Sequence, residues 1–225
     1  FIPLFCSNPF KLLIYDIYPD ALVEFKYLKK EALLTKCWIK INKKVFTKAQ
    51  KVYTLTEGMH KRILNYTSEE KIKIVPIWTD NEFLKPIDKR TNPFTKQQKW
   101  EDKFVVMYSG NLGKSHPVEM MVELAKSCTN PKIHFVIIGG GDKYKEIEKA
   151  IAEAPEIPIS IMPWVPTEQI PLSLSAADVG VVTLGKEAID LSIPSKTFNI
   201  LSVGKPIISI CAKEAALASL VQENK

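Results

Sequence analysis

The stretch Phe104-Val-Val-Met-Tyr-Ser-Gly-Asn-Leu-Gly-Lys114 is an apolar run that breaks into glycines and a lysine. It reads as a buried strand feeding a turn at a helix start. Gly110 to Gly113 lets backbone N–H groups approach an anion there, where a helix dipole favours negative charge by about 0.3–1 kcal/mol. Lys114 would add a full charge. Further along, Ile193-Pro-Ser-Lys-Thr-Phe-Asn-Ile-Leu-Ser-Val-Gly-Lys-Pro206 reads as a short helix opening at Ser195 and Lys196 and closing at Gly204. Two such elements on one α/β domain suit a diphosphate.

Working outward from 104, strand and helix patterns alternate. Strands are expected at 104–108, 133–138, 159–162, 179–183 and 207–210, with helices at 118–127, 143–153, 167–175 and 195–202. That order implies a parallel sheet covered by helices on both faces, with ligands at the carboxyl ends of the strands. Upstream, 11–15, 52–55 and 71–75 read as strands. Residues 21–49 carry helical periodicity, with Leu34, Trp38, Ile41 and Val45 on one stripe and Lys36, Lys40, Lys43, Lys44 and Lys48 largely opposite. Thr56 is placed to cap a helix running to Leu64. Between 77 and 103 the pattern collapses around Pro86, Asn92 and Pro93, which marks a linker between domains.

The 225 residues are 46% hydrophobic and 25% charged, as in a folded globular chain, and the net charge of +6 suits an anionic ligand or an anionic membrane surface. No run of eighteen apolar residues is present, so no helical membrane span is expected. Cys6, Cys37, Cys128 and Cys211 have no metal-site spacing with the histidines and read as buried thiols of a reducing compartment. His116, beside Pro117, reads as a turn residue. Trp164 reads as a packing aromatic, and Gly139 to Gly141 as a tight strand-to-helix turn. The chain opens on Phe1-Ile-Pro rather than methionine and closes inside a helical pattern, 214–225, so a fragment is expected.

Several segments, in order, resemble the family-four retaining glycosyltransferases. Lys73-Ile-Val-Pro-Ile-Trp-Thr-Asp-Asn-Glu-Phe83 is similar to the family's interdomain segment. Tyr108-Ser-Gly-Asn-Leu-Gly-Lys114 resembles its first donor loop, and Val136-Ile-Ile-Gly-Gly-Gly-Asp142 its glycine-bearing strand end. Trp164-Val-Pro-Thr-Glu-Gln-Ile170 with Ala176-Ala-Asp178 resembles a further block, and the segment from Pro194 to Pro206 resembles the subset that builds bacterial capsule and O-antigen. The resemblance implies the GT-B fold of two Rossmann-like domains. Residues 1–76 would be part of the acceptor-side domain, 77–103 the linker, and 104–225 a donor domain lacking its last helices.

It also implies roles. Lys114 and Lys196 would be the catalytic cations. Gly110, Asn111, Gly113, Gly139, Ser195 and the backbone of Val165 would line the nucleotide sugar. Two departures stand out. The family's paired acids fall on Leu191 and Asn199, so Asn199 would hold the ribose with a neutral group, and Glu187 is a candidate substitute acid. Asn111 stands where many relatives have an arginine facing the diphosphate.

The implied activity is transfer of a sugar from a nucleotide diphosphate, UDP-linked, to a lipid-linked or oligosaccharide acceptor with retention. No cofactor or metal is implied, and no nucleic-acid motif is present. The expected place is the cytoplasm, peripherally on the inner face of a bacterial membrane. Two alternatives stand beside it: a sugar-nucleotide epimerase of the same fold, and a non-catalytic subunit that binds nucleotide sugar.

Overall fold

The computed structural model describes residues 8–113 and 116–224. It divides into two compact units. The first comprises 1–77, 185–193 and 211–225, and the second 78–184 and 194–210. Both are built on parallel sheets flanked by helices, the Rossmann-like architecture the alternating pattern implies.

In the first unit, β1 (Lys11–Leu13), β2 (Lys51–Thr54) and β3 (Ile72–Ile74) form a parallel sheet in that order. The expected helix over 21–49 is two helices, α1 (Asp20–Glu24) and α2 (Leu33–Lys48). Lys26 takes a left-handed conformation between them, with φ of 61°, and ends the first one. The buried stripe of α2 is also rotated from the expected one. Thr35 and Phe46 are buried, whereas Leu34 is exposed. Thr35 can turn inward because its hydroxyl donates to the Lys29 carbonyl at 2.8 Å, and Phe46 packs on Tyr66 with ring centroids 5.3 Å apart. In α3 (Glu57–Ile63), the Thr56 side chain accepts from the Met59 N–H as expected of its cap. Leu191 belongs to this unit's core with Ile17, Val52, Met59 and Ile63, and α9 (Ala216–Glu223) belongs to the same unit.

The second unit begins at Trp78, and the stretch expected to be a linker is packed into it. α4 (Pro93–Gln98) starts at Asn92, whose side chain accepts from the Phe94 N–H and donates to the Leu172 carbonyl. Phe94 and Trp100 bury together with ring centroids 5.9 Å apart, against Val105 and Val136. Two such side chains contribute about 1.5–3 kcal/mol each, more than an unstructured connection could supply. Asp178, the acid of the Ala-Ala-Asp block, has a structural task here. It accepts from the Val105 N–H at 2.7 Å and pairs with Lys89, tying 78–103 to the sheet. Asp178→Ala is expected to destabilise this unit by about 2–4 kcal/mol, because it leaves a backbone donor unpaired and the Lys89 ammonium with only the neutral Lys103 carbonyl as partner. Urea unfolding measures it, and Asp178→Asn, which keeps an acceptor for Val105, should cost clearly less.

The sheet of the second unit has β4 (Phe104–Asn111), β5 (Ile133–Gly140), β6 (Ile159–Met162), β7 (Val179–Thr183) and β8 (Ile207–Ile210) in the spatial order β6-β5-β4-β7-β8, all parallel. Helices α5 (Met120–Lys126), α6 (Tyr144–Ala152), α7 (Ile170–Ala176) and α8 (Lys196–Ser202) connect them. β7 consists of buried residues throughout and β4 has a buried centre, which is why both read as continuous apolar runs. The order runs outward from β4 through β6, then restarts at β7 on the other side of β4. That reversal opens a crevice at the carboxyl ends of β4 and β7. Cys37, expected to be buried, is exposed, and Cys6 lies outside the described residues.

Candidate functional site

The crevice is built from the ends of adjacent strands. Gly110 and Asn111 at the end of β4 stand in register with Gly139 and Gly140 at the end of β5. The two turns are stitched beyond the sheet: the Leu112 N–H donates to the Gly140 carbonyl at 2.8 Å, and the Lys143 N–H to the Leu112 carbonyl at 3.1 Å. The approach is close enough to require glycine. A Cβ on Gly139 would stand 2.0 Å from the Gly110 carbonyl oxygen, at a φ of +152°. Asn111 is exposed, and its amide lies against both Gly113 and Gly141, where a Cβ would meet it at 3.0 and 2.6 Å. It therefore lies across the turns.

Lys196, from the first turn of α8, reaches this turn. A Cβ on Gly110 would stand 2.7 Å from the Lys196 Nζ. Nζ donates to the Tyr108 hydroxyl at 2.6 Å and lies 4.1 Å from that ring's centroid. Tyr108 is fully buried, and its own hydroxyl donates to the Asn111 carbonyl at 2.6 Å. Among the described residues no carboxylate lies within ion-pair distance of Lys196. Burial with no acid partner pulls its ammonium down to about 7 from 10.5. Burial also pushes the Tyr108 phenol up, so it stays neutral.

His116 completes the wall. Its Nδ1–H donates to the Thr183 carbonyl at the end of β7, 2.9 Å away. Burial, then the nearby charge of Lys196, holds the ring down to about 4 despite that hydrogen bond, so it is neutral at pH 7. The backbone carbonyl of His116 accepts from Lys143 Nζ at 2.9 Å, and Lys143 is itself paired with Glu119. The one uncompensated cation of this cluster, among the described residues, is Lys196. The arrangement can hold a multiply charged anion on a backbone turn, with a half-buried ammonium supplying the charge.

The expected site residues fall into three groups. Gly110, Asn111, Gly113, Gly139 and Lys196 come together at the crevice. Ser195, exposed, precedes α8 without a side-chain capping bond, and Asn199 lies one turn on, where its Oδ1 accepts from the Thr79 hydroxyl at 2.7 Å. Val165 packs at the edge of the core beneath β5. Lys114 lies outside the described residues. Glu187, exposed on the turn Lys186–Ala188, belongs to the first unit. Leu191, at the position of the first family acid, is a core residue of that unit. Trp164 is 58% exposed rather than packed, with its indole nitrogen against Gly140. Sequence reasoning missed Tyr108, Thr79, Lys143 and the role of His116. Tyr108 carried a signal, as the one polar-tipped side chain of an apolar run just before the glycines.

Comparison with known proteins gives a consistent picture. Residues 89–222 match the family described as Glycosyl transferases group 1. WbjE of Pseudomonas aeruginosa, named as a glycosyltransferase, is 22% identical over 213 residues, covering 94% of this chain and 53% of that protein. WcaI of Escherichia coli (strain K12), named as a colanic acid biosynthesis glycosyl transferase, is 27% identical over 148 residues, covering 65% of this chain and 36% of that protein. The chain thus spans about half the length, or less, of the curated relatives it matches. Among solved structures, Anabaena HepE in complex with UDP and glucose superposes with a TM-score of 0.70 at 13% identity, covering 96% of this chain and 62% of that one. That likeness gives the fold, GT-B.

Proposed function

The chain belongs to the group 1 glycosyl transferases, and from that premise we propose that the whole protein moves a sugar from a UDP-linked donor to a lipid-linked or oligosaccharide acceptor, with retention, in surface polysaccharide biosynthesis. The observation that carries this reading is the half-buried ammonium of Lys196, with no acid partner among the described residues, held against the Gly110 turn at the sheet's reversal point. Charge grows on a departing diphosphate in the transition state, and a preorganised cation in a water-poor crevice stabilises that growth more than it stabilises the ground state. Lys114 is assigned the second cation. In this reading a phosphate oxygen of the leaving group takes the acceptor proton as the acceptor oxygen attacks from the same face, which gives retention.

UDP is favoured by the likeness to HepE, which was solved with UDP and glucose, and a biosynthetic role by the likeness to WcaI, named for colanic acid biosynthesis. For location, the exposed lysines of α2, among them Lys40, Lys43 and Lys44, suit peripheral contact with anionic lipid at the cytoplasmic face, each adding about 1 kcal/mol near such a surface. No helix among the described residues is long and apolar enough to cross a membrane.

A thermal-shift panel of UDP-, GDP- and ADP-sugars on the whole protein tests the donor class. A ligand at 100 times its dissociation constant stabilises by about 2.7 kcal/mol, which is readily seen. No response to any nucleotide sugar would overturn the reading, and a response to GDP- or ADP-sugars alone would replace the base.

Asn199 is proposed to face the ribose. Its oxygen already accepts from Thr79, so a carboxylate at this position would keep that bond with one oxygen and offer the other to a ribose hydroxyl. Asn199→Glu is therefore expected to tighten donor binding, by less than about tenfold, because desolvating the new charge beside a diphosphate takes back part of the gain. Calorimetric titration of donor into both proteins reads it, and weaker binding by the variant would show that Asn199 serves through its amide N–H2.

A further inference from the structure

We infer that Tyr108 is a positioning residue that fixes the ammonium of Lys196 over the Gly110 turn while leaving its charge free for the ligand. The inference rests on the proposed function of the site, and its argument begins from the lysine side chain. A lysine ends in a strongly hydrated point charge on a flexible four-carbon stem, and ordering such a stem costs about 2 kcal/mol in rotamer freedom. A lysine that must meet a phosphate in a buried crevice therefore needs a tether. The usual tether is a carboxylate, but that would cancel the charge the phosphate is to meet.

Tyr108 supplies a tether of another kind. Its ring is fully buried, so its own position is set by packing. Its single hydroxyl hydrogen is committed to the Asn111 carbonyl at 2.6 Å. What remains on that oxygen is acceptor capacity, and Lys196 donates into it at 2.6 Å. The ring face adds attraction for the cation, 4.1 Å from its centroid. None of these contacts removes charge, because the phenol is neutral. The ammonium has three N–H donors, and among the described residues this tether engages one of them. Gly110 makes the arrangement possible, since a Cβ there would stand 2.7 Å from Nζ and 2.8 Å from Cε. The charged end of the lysine therefore lies directly against the turn's backbone. Among the described residues the other titratable groups of this wall are neutral His116 and Lys143 in its pair with Glu119.

The test is Tyr108→Phe, which removes one oxygen and keeps the ring. In the protein without ligand, the titration of Lys196 followed by NMR of labelled lysine is expected to shift downward by about half a unit or more, since an accepting hydroxyl favours the charged amine. In the whole protein, turnover is expected to fall about tenfold with the donor KM changed less than about threefold, and the alkaline limb of the pH–rate profile to move to lower pH. Combined with Lys196→Met, the substitution should add nothing further, whereas a merely structural effect of Tyr108 would persist. An unchanged Lys196 titration, or an undiminished effect in the Lys196→Met background, overturns the inference. Failure of the wild type to bind any nucleotide sugar would instead count against the proposed function, and the NMR titration would still decide whether Tyr108 tethers Lys196.

Discussion

Lys196→Ala in the whole protein lowers turnover at saturating donor by at least about tenfold, because about 1.4 kcal/mol of transition-state stabilisation is one factor of ten. Turnover is expected to fall by more than donor affinity does, because the charge this cation meets grows in the transition state. The same residue sets a pH dependence whose sign follows from its depressed ammonium. Burial holds Lys196 down to about 7 in the empty crevice. A bound diphosphate raises it again, so binding above pH 7 takes up a proton. Affinity is expected to weaken above pH 7, by up to about tenfold per pH unit, and this dependence should vanish in Lys196→Ala. In the empty protein the unfolded chain binds more protons than the folded one between about pH 7 and 10.5, so this lysine makes stability rise with pH across that window. Calorimetry in buffers of different ionisation enthalpy counts the proton directly. A flat affinity profile, or unchanged turnover in the variant, would remove Lys196 from the anion's reach.

The second large effect is on stability. Gly139→Ala places a methyl carbon 2.0 Å from a backbone oxygen, that of Gly110, at a φ of +152°. No side-chain rotation relieves a contact with main chain. The strands cannot part without breaking the register that pairs Gly110 with Gly139. The cost is expected to be about 3 kcal/mol or more. For a chain of this size that lowers Tm by roughly 6–12 °C, measured by calorimetry. A loss below about 1 kcal/mol would mean the two turns lie further apart than described.

The second unit's strands were the most legible part of the sequence. The expected bounds 159–162, 179–183 and 207–210 coincide with β6, β7 and β8, because short runs of Val and Ile between turn residues leave little choice of ends. The first unit was harder to read, for identifiable reasons. The break after α1 occurs at Lys26 with no glycine or proline to announce it. The inward face of α2 includes Thr35, which is buried only because a distant carbonyl satisfies it. The supposed linker looked irregular because its aromatic anchors, Phe94 and Trp100, have no period of their own.

At the crevice, the glycine turns and Lys196 were visible as local chemistry. The partnerships of Lys196 with Tyr108, of His116 with Thr183 and of Asn199 with Thr79 join segments far apart in the chain, and no local pattern encodes them. The substitution of Leu for the first family acid becomes intelligible only once Leu191 is seen among the buried residues of the first unit.

The division of the chain into units has a consequence for biosynthesis. Residues 1–77 are translated before the second unit, yet the first unit also needs 185–193 and 211–225. Leu191 and Leu217, both nearly inaccessible to solvent, are made only after β4 through β7 have been translated. Completion of the first unit therefore follows translation of the second. The nascent first unit waits with part of its apolar interior missing while the second assembles. Exposed apolar surface of that kind is what chaperones recognise, and a stop after β7 leaves the first unit without the buried side chains of Leu191 and Leu217.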